Sequence, residues 1–404
     1  MLKSACTFVL IACAVLSSAI GVNAQEGARL SATTHKALSK IHRLIDVQEN
    51  PQALAELQAL MPTVASNAYD AAVVQQTLGY VYNNLGQQKQ AAEAFKQALQ
   101  QNALPSDVVH QLHYNLVQVL IASNAYEEGL AYFDRWLSRE PSPGVEGLKL
   151  AATAYYQAKQ CKKAIPYLRQ LLAQREKPEE QWQQVLLACY YESSQYSEAA
   201  RLLEQIVGHD PAERRYWRQL AAAYQQAGED MRALAALTLA YKQGLLDSQT
   251  TMELVQMYSY LQMPYEGAQL LAAEVEAGRI KETQATLQTL ANAWILAQEK
   301  EKAARALERM GRLGGSASAY FSLGQLLFEM EHWDQTVKAL DSALSAGFTK
   351  VGAARLLQGI AFYHSGERQK SIKTLELARQ DKAHRGEAEW WIQRIRQESA
   401  DLSG

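Results

Sequence analysis

Two histidines, His110 and His113, and two cysteines, Cys161 and Cys189, are the side chains whose types and spacing could do chemistry in this chain. Three residues apart on a helix, His110 and His113 would share one face, which is half of a zinc site. No cysteine or further histidine follows at ligand spacing, so the pair reads as ordinary helix-surface histidines and no metal is expected. There is no Gly-rich phosphate loop, no Gly-x-Ser-x-Gly elbow and no His-Glu-x-x-His zinc helix. The sequence therefore offers no catalytic residue and implies no cofactor, and a non-enzymatic role is expected.

The chemistry open to the cysteines depends on the compartment. Cys6 and Cys13 fall in a segment that reads as a secretory signal, with Lys3, an apolar run from Ala5 to Ile20, and Val22-Asn23-Ala24 before Gln25. Cleavage is expected after Ala24. A lipoprotein reading would use Leu10-Ile11-Ala12-Cys13, but it leaves a short apolar core before the cysteine, and an uncleaved anchor is the remaining alternative. Removal of residues 1–24 leaves Cys161 and Cys189. Two thiols in an oxidising compartment invite a disulfide, with two separately buried thiols as the alternative.

The elements that position these residues are helices. Leu78, Gly79, Tyr82, Gly86, Ala91, Phe95 and Ala98 fall at the anchor spacing of a helix-turn-helix repeat of about 34 residues. Leu78 and Tyr82 share one face of a first helix, Gly79 lets a second helix approach, and Gly86 ends the first. The pattern recurs in Leu116, Leu120, Gly129 and Phe133, in Ala151, Tyr155, Ala164 and Leu168, and in Leu186, Tyr190, Ala199 and Leu203. It continues through Leu220, Tyr224 and Ala233, then Leu254, Tyr258 and Ala268, Leu290, Trp294 and Ala303, Leu323, Leu327 and Leu340, and Gly359, Phe362 and Leu375. A degenerate unit from Thr34 to Met61 is expected to open the array. A helix from Glu387 to Arg396 is expected to close it, with Trp390, Trp391 and Ile392 covering the last apolar face.

The spacing resembles the tetratricopeptide repeat. That resemblance implies an all-α fold, a right-handed superhelical solenoid of about ten helix-turn-helix units with a C-terminal capping helix. The organisation expected is a signal peptide over 1–24, a polar lead-in over 25–33, the solenoid over 34–399 and a tail over 400–404. No Pro- or Ser-rich linker divides the chain, and its 40 basic residues face 42 acidic ones. That balance gives no reason to expect nucleic acid or an anionic membrane surface as partner.

First helices of such repeats line the groove, so the repeat phase nominates the groove residues. They are Tyr80, Asn83 and Asn84, then Tyr114, Asn115 and Gln118, then Tyr156, Tyr191, Arg215, Arg218, Gln225 and Tyr260. Tyrosine supplies rigid contact area with a polar tip and amide side chains bond a peptide backbone, which suits a protein or peptide partner. The plainer alternative is that these residues only solvate an open groove. Lys149 and Asn115 alone do not make the carboxylate clamp with which related repeats hold chaperone tails.

Longer stretches resemble a narrower family, the secreted repeat protein encoded beside TonB, ExbB and ExbD in energy-transduction clusters. They are Leu78-Gly79-Tyr80-Val81-Tyr82, Tyr114-Asn115-Leu116, Arg215-Tyr216-Trp217, Leu239-Ala240-Tyr241-Lys242-Gln243-Gly244-Leu245-Leu246, Pro264-Tyr265, Ala277-Gly278-Arg279-Ile280 and Leu290-Ala291-Asn292-Ala293-Trp294. The resemblance implies a periplasmic accessory of TonB-dependent uptake, with the periplasmic part of TonB or an Exb protein as partner. A general envelope scaffold for cell-wall, polysaccharide or outer-membrane assembly is the alternative.

Overall fold

An α-helix leaves its last carbonyls without intrahelical partners, and this chain solves that problem the same way again and again. The carbonyl of each first-helix anchor is taken by a backbone amide five residues on. The pairs are Glu49 to Leu44, Gln87 to Tyr82, Ala125 to Leu120, Gln160 to Tyr155 and Gln195 to Tyr190, then Glu229 to Tyr224, Met263 to Tyr258, Glu299 to Trp294, His332 to Leu327 and Glu367 to Phe362, all at 2.8 or 2.9 Å. The residue before each donor is left-handed: Gln48, Gly86, Asn124, Lys159, Ser194, Gly228, Gln262, Gln298, Glu331 and Gly366. This is the Schellman closure, and its ten occurrences at first-helix ends mark ten helix-turn-helix units among the described residues.

The structure, a computed structural model, describes residues 29–174 and 179–401. The expected signal peptide lies outside the described residues. Every regular element among the described residues is an α-helix, and none of those helices is long and apolar enough to cross a membrane. The chain divides into two compact units, one through Leu202 and one from Leu203.

The first unit holds α1 (Ala32–Asp46), α2 (Asn50–Val64), α3 (Ala68–Asn84), α4 (Gln88–Gln100), α5 (Ser106–Ala122), α6 (Tyr126–Leu137), α7 (Val145–Gln157), α8 (Cys161–Ala173) and α9 (Glu180–Glu192). Helix α10 (Tyr196–His209) carries the division between the units. Sequential helices pack on one another, and the anchors make the core: Ala91, Phe95, Ala98, Leu112 and Leu116 are fully buried. Gly79 is where α3 and α4 meet, since a Cβ there would overlap the Phe95 ring. At the start of the unit, buried Asp70 on α3 accepts the Ser31 amide at 3.1 Å, the Ser31 hydroxyl at 2.6 Å and the Thr34 hydroxyl at 2.8 Å. One carboxylate thus ties the first turn of α1 to the third helix.

The second unit holds α11 (Arg214–Gln226), α12 (Asp230–Lys242), α13 (Ser248–Tyr260), α14 (Pro264–Glu276), α15 (Gln284–Leu296), α16 (Lys300–Gly314), α17 (Ala317–Glu329), α18 (Trp333–Ser345), α19 (Val351–His364), α20 (Arg368–Ala378) and α21 (Arg385–Asp401). Second helices here close by the same device. Leu245 donates to the Ala240 carbonyl across left-handed Gly244, and Arg279 donates to the Glu274 carbonyl across left-handed Gly278. Terminal helix α21 buries Ala388, Ile392 and Ile395 against α20 and α19. One expectation is corrected there: Trp390 is 52% exposed, because the inner stripe runs at the 388, 392 and 395 spacing and leaves it on the outer side.

Candidate protein-binding surface

In the first unit two of the nominated groove residues, Tyr80 and Asn115, belong to one hydrogen-bonded network with Gln76 and Gln111. Tyr80 on α3 lies half-buried with its ring edge-on to Phe95, centroids 5.3 Å apart. Its hydroxyl accepts Asn115 Nδ2 at 2.8 Å and Gln76 Nε2 at 3.3 Å, and Gln111 Nε2 donates to Asn115 Oδ1 at 3.2 Å. Asn115 is only 4% exposed and Gln118 is also buried. Both amides are therefore packed between helices rather than open to a partner in the groove. A buried amide needs partners, and Asn115 finds one across the repeat boundary.

Tyr114, half-buried on α5, packs 5.3 Å from the Trp136 ring. Burial, reinforced by the Glu146 carboxylate, pushes its hydroxyl up to about 12. Asn83 is half-buried, and exposed Asn84 donates to Asn50 Oδ1 at 3.3 Å. Tyr156 is half-buried with the Lys159 ammonium 5.8 Å from its ring centre, and Tyr191 lies half-buried 6.0 Å from the Tyr196 ring. The histidines take packing roles: His110 stacks on Trp136 at 5.6 Å with Nε2 3.3 Å from Glu140, and His113 lies 5.9 Å from the Tyr132 ring. Burial, with the nearby Arg135 charge, lowers the pKa of His113.

The second unit presents its first helices differently. Arg215, Arg218 and Gln225 on α11 are exposed. The Arg215 guanidinium sits 4.7 Å from the Tyr216 ring centre, and Arg218 donates to Glu253 on the next first helix at 2.6 Å. Tyr260, at the end of α13, is 68% exposed. Its counterpart at the end of α15, Leu296, is 64% exposed, with exposed Ile295 beside it. Tyr260 follows its anchor Leu254 by the same interval at which Leu296 follows Leu290, so consecutive repeats present a large apolar side chain at one phase. Sequence reasoning had nominated Tyr260 and passed over Ile295 and Leu296. Their repeat phase marks them, but neither side chain carries the polar group by which the other groove residues stand out.

Repeated helix pairs with this surface define a helical-repeat protein, a class that serves as a scaffold for protein–protein contacts. Residues 77–145 match the family model described as tetratricopeptide repeat, and the all-helical fold agrees with it. No curated protein matches the chain. Among solved structures it is similar to a tetratricopeptide repeat protein from Parabacteroides merdae at 15% identity, with 76% of this chain and 99% of that chain covered and a TM-score of 0.37. It is also similar to YrrB, a repeat protein with an unusual peptide-binding site, at 17% identity, 46% and 92% coverage and a TM-score of 0.35. The Hsp90-bound TPR2AB domain of yeast Sti1 matches at 15% identity, 64% and 98% coverage and a TM-score of 0.32.

Proposed function

We propose that this chain is a non-catalytic, protein-binding adaptor of the periplasm and an accessory of TonB-dependent energy transduction and uptake. The observation that carries the binding surface is the exposure of Tyr260 and Leu296 at one repeat phase in the second unit. Large apolar side chains held in water by rigid helices gain free energy when a partner covers them, about 25 cal/mol for each Å² buried. Exposed Arg215, Arg218 and Gln225 add polar contacts in the same unit. In the first unit the network through Tyr80, Asn115 and Gln76 would fix the groove side chains before a partner arrives, which lowers the ordering entropy of binding.

The compartment and the partner rest on the leader segment and on the family resemblance. The mature chain would begin at Gln25, and its partner would be the periplasmic part of TonB or an Exb protein. Titration of the purified periplasmic segments of TonB, ExbB and ExbD into the purified protein tests this reading. Saturable binding to one of them is expected. If none binds, and a component of cell-wall, polysaccharide or outer-membrane assembly does, the chain is the general envelope scaffold instead.

A further inference from the structure

Cys161 opens α8 and Cys189 lies late in α9, the first helix of the following repeat. Their sulfur atoms stand 2.7 Å apart, well inside the contact distance of two unbonded sulfurs, and both side chains are buried. Glu192 Oε2 accepts from the Cys161 thiol at 3.2 Å. The position of Cys189 has its own repeat phase. At that phase four of the other first helices bury a larger side chain, Val81, Val119, Met257 or Leu326, and four bury an alanine, Ala154, Ala223, Ala293 or Ala361. A methyl group is enough to fill the slot in the alanine repeats, so packing alone does not call for sulfur at 189.

We propose that Cys161 and Cys189 are joined by a disulfide in the native protein, a covalent staple across the boundary between two repeats of the first unit. The sulfurs need only shorten their separation to the bonded distance of about 2.05 Å. The bond forms by exchange with a disulfide donor, either a thiol–disulfide oxidoreductase in its oxidised, disulfide form or a small disulfide such as oxidised glutathione. The Cys161 thiolate attacks one donor sulfur and expels the other as a thiolate. The Cys189 thiolate then attacks Cys161 Sγ and expels the second donor sulfur. Both cysteine protons pass to solvent and then to the departing thiolates, so the donor is reduced to two thiols while the protein loses two hydrogens. In the folded chain burial pushes both thiols up, and the Glu192 carboxylate raises Cys161 further. Thiolate is therefore scarce once the repeats have packed, which sets closure during folding and leaves the finished bond shielded from reductant.

The full chain is unfolded in denaturant with reductant, refolded in a glutathione redox buffer, alkylated and digested without reduction. A peptide containing Cys161 linked to one containing Cys189, lighter than the free pair by two hydrogens, is expected. Recovery of both as separately alkylated peptides from folded protein would overturn the proposal. The second measurement is the melting temperature with and without prior reduction under denaturant. Wild type should lose about 5 °C or more on reduction, whereas Cys189→Ala, which repeats the packing seen at Ala154 and Ala223, should not respond to reductant. Equal melting of oxidised and reduced wild type would count against a staple. Peptide mapping of wild type needs no variant to fold.

Discussion

The Tyr241 hydroxyl donates to Glu274 Oε1 at 2.6 Å, and the Arg279 guanidinium holds the same carboxylate through Nε at 2.9 Å and Nη2 at 2.6 Å. Glu274 is buried on α14, while Tyr241 comes from the end of α12 and Arg279 from the turn after α14. Two of the stretches that carry the narrower resemblance, Leu239 to Leu246 and Ala277 to Ile280, therefore meet at one carboxylate. Their shared residues do structural work inside the second unit: they close helices and pin a turn.

The Arg279 bond, opposed by burial and helped by the Tyr241 bond, holds the Glu274 carboxyl below its ordinary value of 4.5. A folded-state value below the unfolded one gives stability that is full above the ordinary value and is lost as pH falls through the folded one. Glu274→Gln is expected to cost about 1–3 kcal/mol at neutral pH. It should also flatten the acid limb of the stability profile. Melting curves of wild type and variant from about pH 7 to about pH 3 check this, and profiles that stay parallel would contradict it.

Asp70 plays a similar part at the other end. Burial works to raise its carboxyl, but the bonds from Ser31 and Thr34 outweigh it and hold the value below the ordinary 3.8. Asp70→Asn should weaken the clasp on Ser31 and loosen α1 by about 1–2 kcal/mol. Hydrogen exchange would then show faster exchange over 32–46 with little change in α5 and α6. Unchanged protection of α1 would show that its apolar stripe, Leu38 and Ile41, holds it without the carboxylate.

Two glycines should fail for opposite reasons. Gly79→Ala drives a methyl group into the Phe95 ring, and overpacking of this kind costs about 1–3 kcal/mol. Gly228→Ala meets nothing within 4 Å, but its φ of 74° is left-handed, which costs a residue with a Cβ about 1 kcal/mol. Thermal melts of both variants test the pair. A Gly79→Ala melt equal to wild type would mean that α3 and α4 part easily, against the burial of Phe95.

The helix pairs were legible because their anchors are packing residues with a strict phase. The turns were legible only in part. Gly86, Gly228 and Gly366 announce a left-handed closure, whereas Lys159, Gln262 and Glu331 adopt the same conformation with nothing in their type to signal it. There the tertiary packing of the anchors imposes the turn on whatever residue falls at that phase. The surface was the least legible part. Sequence phase places Asn115 on the first helix, but only coordinates show its amide turned to Tyr80, and no periodicity distinguishes a satisfied amide from a free one. Tyr260 and Leu296 share a phase that sequence displays, but their exposure depends on neighbours it does not.

The most direct test of the adaptor reading is a binding titration of the periplasmic segment of TonB against wild type and the Tyr260→Ala/Leu296→Ala variant. Both side chains are exposed, so the variant should melt within a few degrees of wild type, since exposed substitutions shift stability by about 0.5 kcal/mol or less each. An apolar anchor lost from an interface costs about 2 kcal/mol or more, so binding should weaken at least about tenfold. Equal affinity of wild type and a correctly folded variant, or no binding by wild type to TonB or to either Exb protein, would contradict the account.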